Sequence, residues 1–207
     1  MLRRDILGGR LLPGERLSPS LVAERYGVSL GVVREALTRL AEQGLVVSEP
    51  QQGFSVIPLS RADLLDLTAT RLEIETLALR RSVERGDVEW QSRLVATHYV
   101  LEHTGQLDPD EPRALSDGWA RAHHDFHHLL LAACGSKRLL EIADSLRDSA
   151  EVYRRWSTPL DGRTASDIAR EHRAILDAVQ AGDADRAAAE LARHISHTTE
   201  VLVEHAT

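Results

Sequence analysis

Apolar residues recur at Val33, Ala36, Leu37, Leu40 and Ala41, the i, i+3, i+4, i+7, i+8 spacing of a helix with one buried stripe. The spacing predicts a helix within residues 28–44 whose opposite side is polar. Ser29 supplies an N-cap and Gly44 a residue able to turn left-handed at the C-terminus. Just upstream, Ser18, Pro19 and Gly27 bracket a shorter helix over residues 19–26. Two helices joined by a glycine turn form a helix-turn-helix, in which the second helix enters a DNA major groove.

Residues 2–8 predict a further short helix, and Pro13-Gly14 marks a turn. The stretch LVVSEPQQGFSVI holds two β-branched runs joined by Pro50, Gln51, Gln52 and Gly53, which predicts a two-stranded hairpin. Three helices and a hairpin describe a winged helix-turn-helix domain over residues 1–58. Beyond Pro58 the pattern changes. Ser60-x-x-Asp63 opens a helical stretch to about Glu84, and breakers then recur at Gly86-Asp87, 108–112, Gly135-Ser136, 159–164 and Gly182-Asp183. Six helical segments result, and no segment alternates with period two. The fold class is therefore mainly α, with a winged domain followed by an all-α six-helix bundle over residues 59–207.

Composition sharpens this picture. Aromatic residues make up only 4% of the 207-residue chain, while hydrophobic content is an ordinary 43%. No apolar run approaches the roughly 20 residues of a membrane span, and no basic-then-apolar leader opens the chain, so a cytoplasmic protein without membrane contact is expected. Cys134 is the lone cysteine and reads as a small buried apolar residue. The net charge of −7 argues against nucleic acid until its distribution is considered. Residues 1–60 carry seven Arg and six acids, a charge of +1, so the acidity belongs to the second part.

The segment LPGERLSPSLVAERYGVSLGVVREALTRLAEQGLV, with the wing after it, resembles the GntR family of bacterial transcription regulators. The match is carried by Pro13, Gly14, Glu15, Arg16, Leu17, Val28, Ser29, Val33, Arg34, Glu35, Ala36, Leu37, Gly44 and Gly53, among others. The second part is similar to the FCD effector domain of the FadR subfamily, through Arg71-Leu72-Glu73, the helix ending Phe126-His127, Glu171-His172 with Ile175, and GDADRAAAELARHI. The resemblance implies a homodimer that places two winged domains on double-stranded operator DNA. It also implies DNA contacts from Arg16, Ser29, Leu30, Gly31, Arg34, Gln52 and Gly53. Arginine can fork onto guanine or phosphate, the alternative for Arg34 being a pair with Glu35 or Glu42 on its own helix. Many members have Arg-Thr where this chain has Leu30-Gly31, which implies a shifted operator sequence, Leu30 being suited to a thymine methyl.

Ten histidines are many for this length. His98, His103, His124, His128, His197 and His205 read by default as surface residues. His123 and His127 are one helical turn apart and can face one metal. The FCD pattern has Asp, His, His and His around a divalent metal, and here His123, His127, His172 and His194 stand at those places, His123 replacing the Asp. Losing the carboxylate implies a softer metal preference, toward Zn or Ni. The alternative is a polar pocket that binds no metal. The resemblance further implies a small carboxylate effector, with Arg71 as its candidate partner and Arg147, Tyr153 or Arg154 assisting. Arg71 could instead form a plain helix pair with Glu75.

The leading expectation is a regulator, with repression relieved by the ligand, and not an enzyme. A metal-dependent hydrolase is a competing reading, weakened by the lack of a motif such as H-E-x-x-H. A DNA-binding architectural protein indifferent to small molecules is a third.

Overall fold

The structure is a computed structural model that describes residues 1–7, 10–49, 53–58, 60–110, 115–157 and 165–205. The first part contains α1 (Leu2–Leu7), β1 (Arg16–Leu17), α2 (Pro19–Tyr26), α3 (Leu30–Glu42), β2 (Val46–Glu49) and β3 (Gly53–Val56). The expected α3 stripe is the buried one: Val33, Leu37 and Leu40 sink into a cluster with Leu2, Ile6, Val22, Leu45 and Val56. Ser29 Oγ accepts from the Val32 amide at 3.4 Å, and Gly44 turns with φ 70°. The outward side of α3 is less polar than expected, because Leu30 and Val32 are exposed there.

The wing also differs from the expected pair of strands. It is a three-stranded antiparallel sheet of order β1-β3-β2, in which Arg16 pairs with Ser55 and Val46 with Val56. The extra strand is two residues long, too short for any alternation to register. It is anchored by backbone hydrogen bonds, Gly14 N to Val56 O at 3.1 Å and Val56 N to Glu15 O at 2.9 Å. The residues joining β2 to β3, including Gln52, lie outside those described.

The second part holds α4 (Arg61–Arg85), α5 (Val88–Glu102), α6 (Asp117–Leu131), α7 (Lys137–Ser157), α8 (Ala165–Gln180) and α9 (Ala184–His205). These are the six expected segments. Ser60 Oγ caps α4 through the Asp63 amide at 3.2 Å, and α6 runs a turn beyond His127 rather than ending there. Helix α4 packs on α9 and α7, α8 on α9 and α5, and α5 on α6. Phe126, Leu130, Ile175, Leu176, Leu191 and Ile195 fill the core, and Cys134 is buried beside it. Among the described residues, no helix is long and apolar enough to cross a membrane.

The two parts meet where α1 lies against α7. Arg3 reaches Asp148 at 3.5 Å, and Gly44 backs onto Ser149, whose Oγ lies 3.2 Å from where a Cβ on Gly44 would sit.

Asp5 ties the first part together. Its carboxylate accepts from Tyr26 of α2 and from Arg10 Nε at 2.9 Å, and its carbonyl accepts from the Arg10 and Leu11 amides. Burial alone would raise its pKa, but the Tyr26 and Arg10 hydrogen bonds outweigh burial and hold it below the ordinary value. Burial and the Asp5 contact push the Tyr26 hydroxyl up to about 12. Asp5→Ala is expected to destabilise the first part by about 1–3 kcal/mol, read as a lower denaturation midpoint. Because the folded pKa is depressed, this stabilisation is complete above about pH 4 and disappears as pH falls through the folded value. The gap between wild type and variant should therefore narrow in acid.

Candidate functional site

Two surfaces carry the chemistry. On the winged part, Arg16, Ser29, Leu30, Gly31, Arg34 and Gly53 are all exposed, distributed over β1, the start of α3 and the wing. Arg34 has no ion pair among the described residues, since Glu35 is taken by Arg39 at 2.7 Å. The plain helix-pair alternative for Arg34 is therefore not realised with Glu35. Its guanidinium and that of Arg16 are available to phosphate or guanine, and the start of α3 offers unpaired amides to an anion. Gly53 has φ 88°, a left-handed geometry that favours glycine, with open space beside it.

In the helical part, a cavity of about 560 Å³ lies between α4, α6, α7 and α9. His123, His127 and His194 line it, with His172 behind them, and one ring nitrogen from each of the four lies within 4.8 Å of the others. Helical spacing brings His123 and His127 together on α6, while α8 and α9 supply His172 and His194. The Nε2 atoms of His127 and His172 are 3.3 Å apart. That matches the edge of a tetrahedron, about 3.3 Å, around an ion with metal–nitrogen bonds near 2.0–2.1 Å.

Burial above all keeps the rings of His123 and His127 neutral, the form that ligates metal. Burial, then the charge of Arg154 and the other imidazoles, drives His123 well below the ordinary histidine value. Burial, then His194 and Arg147, does the same for His127. Glu171 bridges His194 Nδ1 at 2.7 Å and His197 Nδ1 at 2.8 Å. With Nδ1 donating to this carboxylate, His194 keeps its Nε2 lone pair for the cluster.

Arginines are prominent in the rest of the cavity, which Asp117, Asp148 and Glu151 also line. Arg71 lines it while its Nε donates to Glu75 Oε1 at 2.6 Å, so the helix pair and the cavity position are one arrangement. Arg147 and Arg154 also line it, and Arg147 Nη1 is buried without a hydrogen bond. Burial, and then repulsion from Arg155, Arg71 and Arg147, disfavours the charge on Arg154. Each guanidinium also has a carboxylate beside it, Glu75 for Arg71, Asp144 for Arg147 at 3.6 Å and Glu151 for Arg154, and an anion entering here would add a further acceptor.

Several residues sit elsewhere than expected. Tyr153 does not join the cavity: its hydroxyl donates to Asp63 Oδ2 at 2.6 Å, because its place on α7 turns it toward the start of α4. His98 is buried, edge-on to Phe126, and with Trp119 and His172 lines a smaller cavity of about 310 Å³. The sequence reading overlooked Trp119, which stacks on His123 with ring centroids 4.8 Å apart and carries the Arg154 guanidinium 4.9 Å from its ring. Its spacing of four residues from His123 was the available signal. Glu171, adjacent to His172, and Arg3, Arg4 and Arg121 at the cavity rim had no spacing that singled them out.

A winged reading head joined to an all-helical second domain defines a helix-turn-helix transcription regulator. The profile described as bacterial regulatory proteins, gntR family, matches residues 1–56, and that of the FCD domain matches residues 66–197. The chain belongs to the GntR family, with an FCD domain as its second part. It is 39% identical over 201 residues to the uncharacterised HTH-type transcriptional regulator BphR of Paraburkholderia xenovorans, covering 97% of this chain and 82% of that one. It is 32% identical to the HTH-type transcriptional repressor GlaR of Escherichia coli, covering 94% and 89% respectively. Among solved structures, E. coli McbR/YncC shares the fold with a TM-score of 0.77 at 21% identity, over 100% of this chain and 95% of that one. A GntR regulator from Rhodococcus sp. RHA1 has a TM-score of 0.73 at 25% identity, with the same coverage. These relatives are regulators of transcription, which sets the hydrolase reading aside.

Proposed function

We propose that this regulator is a repressor whose hold on operator DNA is relaxed by a small carboxylate bound in the helical cavity beside a divalent metal. The supporting observation is the convergence of four imidazoles, from three helices, beside a cavity that Arg71, Arg147 and Arg154 also line. His123, His127, His172 and His194 would hold the metal, Zn or Ni by the softness of an all-imidazole set. A metal there supplies a Lewis-acid contact for a carboxylate oxygen. Arg71, pinned through Nε by Glu75, presents its remaining guanidinium face to the same carboxylate. Residues 1–58 serve as the reading head and 59–207 as the sensing and dimerising part. Two heads in a homodimer address a palindromic operator in the cytoplasm, through Arg16, Ser29, Leu30, Gly31, Arg34, Gln52 and Gly53.

Elemental analysis of protein purified without a histidine tag tests the metal centre. About one Zn or Ni per chain is expected in wild type and none in His172→Ala; wild type that stays metal-free after reloading would remove the metal from this reading. Glu171→Gln is expected to weaken metal binding roughly 10–100-fold in a chelator competition. His123→Asp restores a hard oxygen ligand, and its affinity for Mn relative to Zn should rise.

On the DNA side, Arg34→Ala should cost about 1–3 kcal/mol of operator binding, measured by fluorescence anisotropy at fixed salt. Leu30→Arg should change the operator sequence recovered in a binding selection; an unchanged preference would mean that this position does not read bases.

A further inference from the structure

The cavity is not enclosed by the helical domain alone. Arg3 and Arg4, both on α1 of the reading head, line the same space as Arg71 and the histidines. The buried Arg147 and His127 and the half-buried Arg71 form its floor, whereas the exposed members, Arg3, Arg4 and Arg121, form its rim.

Charge at the rim is unbalanced. Asp117 is engaged by Arg155 at 2.8 Å, Asp148 by Arg3 at 3.5 Å, and Glu151 by both Arg154 and Arg155. Arg4 and Arg121 have no acidic partner among the described residues. Two cations, one from each domain, thus border an opening whose floor already suits one carboxylate. The volume, about 560 Å³, is well inside the range of sites for larger ligands and exceeds the needs of a single carboxylate group.

We propose that the effector carries two anionic groups, and that the outer one is held between Arg4 of the reading head and Arg121 of α6. The ligand itself then ties α1 to the helical domain. This rests on the carboxylate-binding cavity proposed above and adds to it the class of ligand and a contact outside the sensing domain. The exposed Arg3–Asp148 pair is a weak clasp between the two parts in the absence of ligand. A bridging anion replaces that clasp with charge-assisted hydrogen bonds to both sides and fixes where the reading head sits. Because only the bound state has this bridge, the ligand discriminates between arrangements of the head and so couples to operator affinity.

The test uses the full chain loaded with Zn and acids of matched length, butanoate against succinate and hexanoate against adipate, titrated by calorimetry. In wild type at least one diacid is expected to bind about ten-fold tighter than its monoacid partner. In Arg4→Ala and Arg121→Ala the preference should fall to about two-fold or less, with monoacid binding unchanged. Arg4→Lys should recover part of it. Amide exchange in α1 should slow with the diacid and not with the monoacid.

A diacid preference that survives Arg4→Ala, or α1 exchange indifferent to the diacid, would overturn the bridge while leaving the cavity intact. So would an Arg4→Ala variant that only loses operator affinity without ligand, which makes Arg4 a DNA contact. Carboxylates that bind equally well to Arg71→Ala, or not at all to wild type, would overturn the cavity reading and the bridge together. Arg4 and Arg121 are exposed, so neither variant should disturb folding.

Discussion

Four imidazoles whose ring nitrogens approach within 4.8 Å of each other cannot all be charged. This constraint orders the second half of the molecule. Desolvation keeps the His123 and His127 rings neutral, the arginines nearby reinforce that state, and Glu171 fixes the orientation of His194 from outside. The apolar bodies of Phe126, Ile175, Leu191 and Ile195 then set how far apart α6, α8 and α9 can stand. Polar centre and apolar core are parts of one packing solution, since neither side chain set could be shifted by a turn without stranding the other.

Helix α7 links that centre to the reading head. Arg147 and Arg154 line the cavity, while Asp148 meets Arg3 and Ser149 lies behind Gly44. One helix therefore touches the cavity of the helical part, α1 and the turn that ends α3. A rigid element with contacts of both kinds is a physical route between two sites, with no need for a long chain of intermediates.

The parts of the fold legible in the sequence were those fixed by local spacing. The α3 stripe, its Ser29 and Gly44 ends, the Ser60 cap and the six later helices follow from periodicity and breakers within a turn or two. What was not legible depends on distant partners. Strand β1 exists because Val56 pairs with Gly14 and Glu15, some forty residues away by any count along the chain. Tyr153 was expected near the ligand and instead bonds Asp63, and His98 was expected at the surface and is buried against Phe126. The sequence offered the four histidines only through a family pattern, because spacing alone joined just His123 and His127. The arginines of the rim come from both domains, and no pattern within either one would unite them.

Trp119 meets both the Arg154 guanidinium and the His123 ring. An indole in that position is an optical probe placed by the fold itself at the boundary between the cavity's arginines and the histidine cluster. A transition ion on His123, or an anion drawing Arg154 aside, changes what its excited state meets. Occupancy of the cavity is thus convertible into emission from a native chromophore, with no label attached.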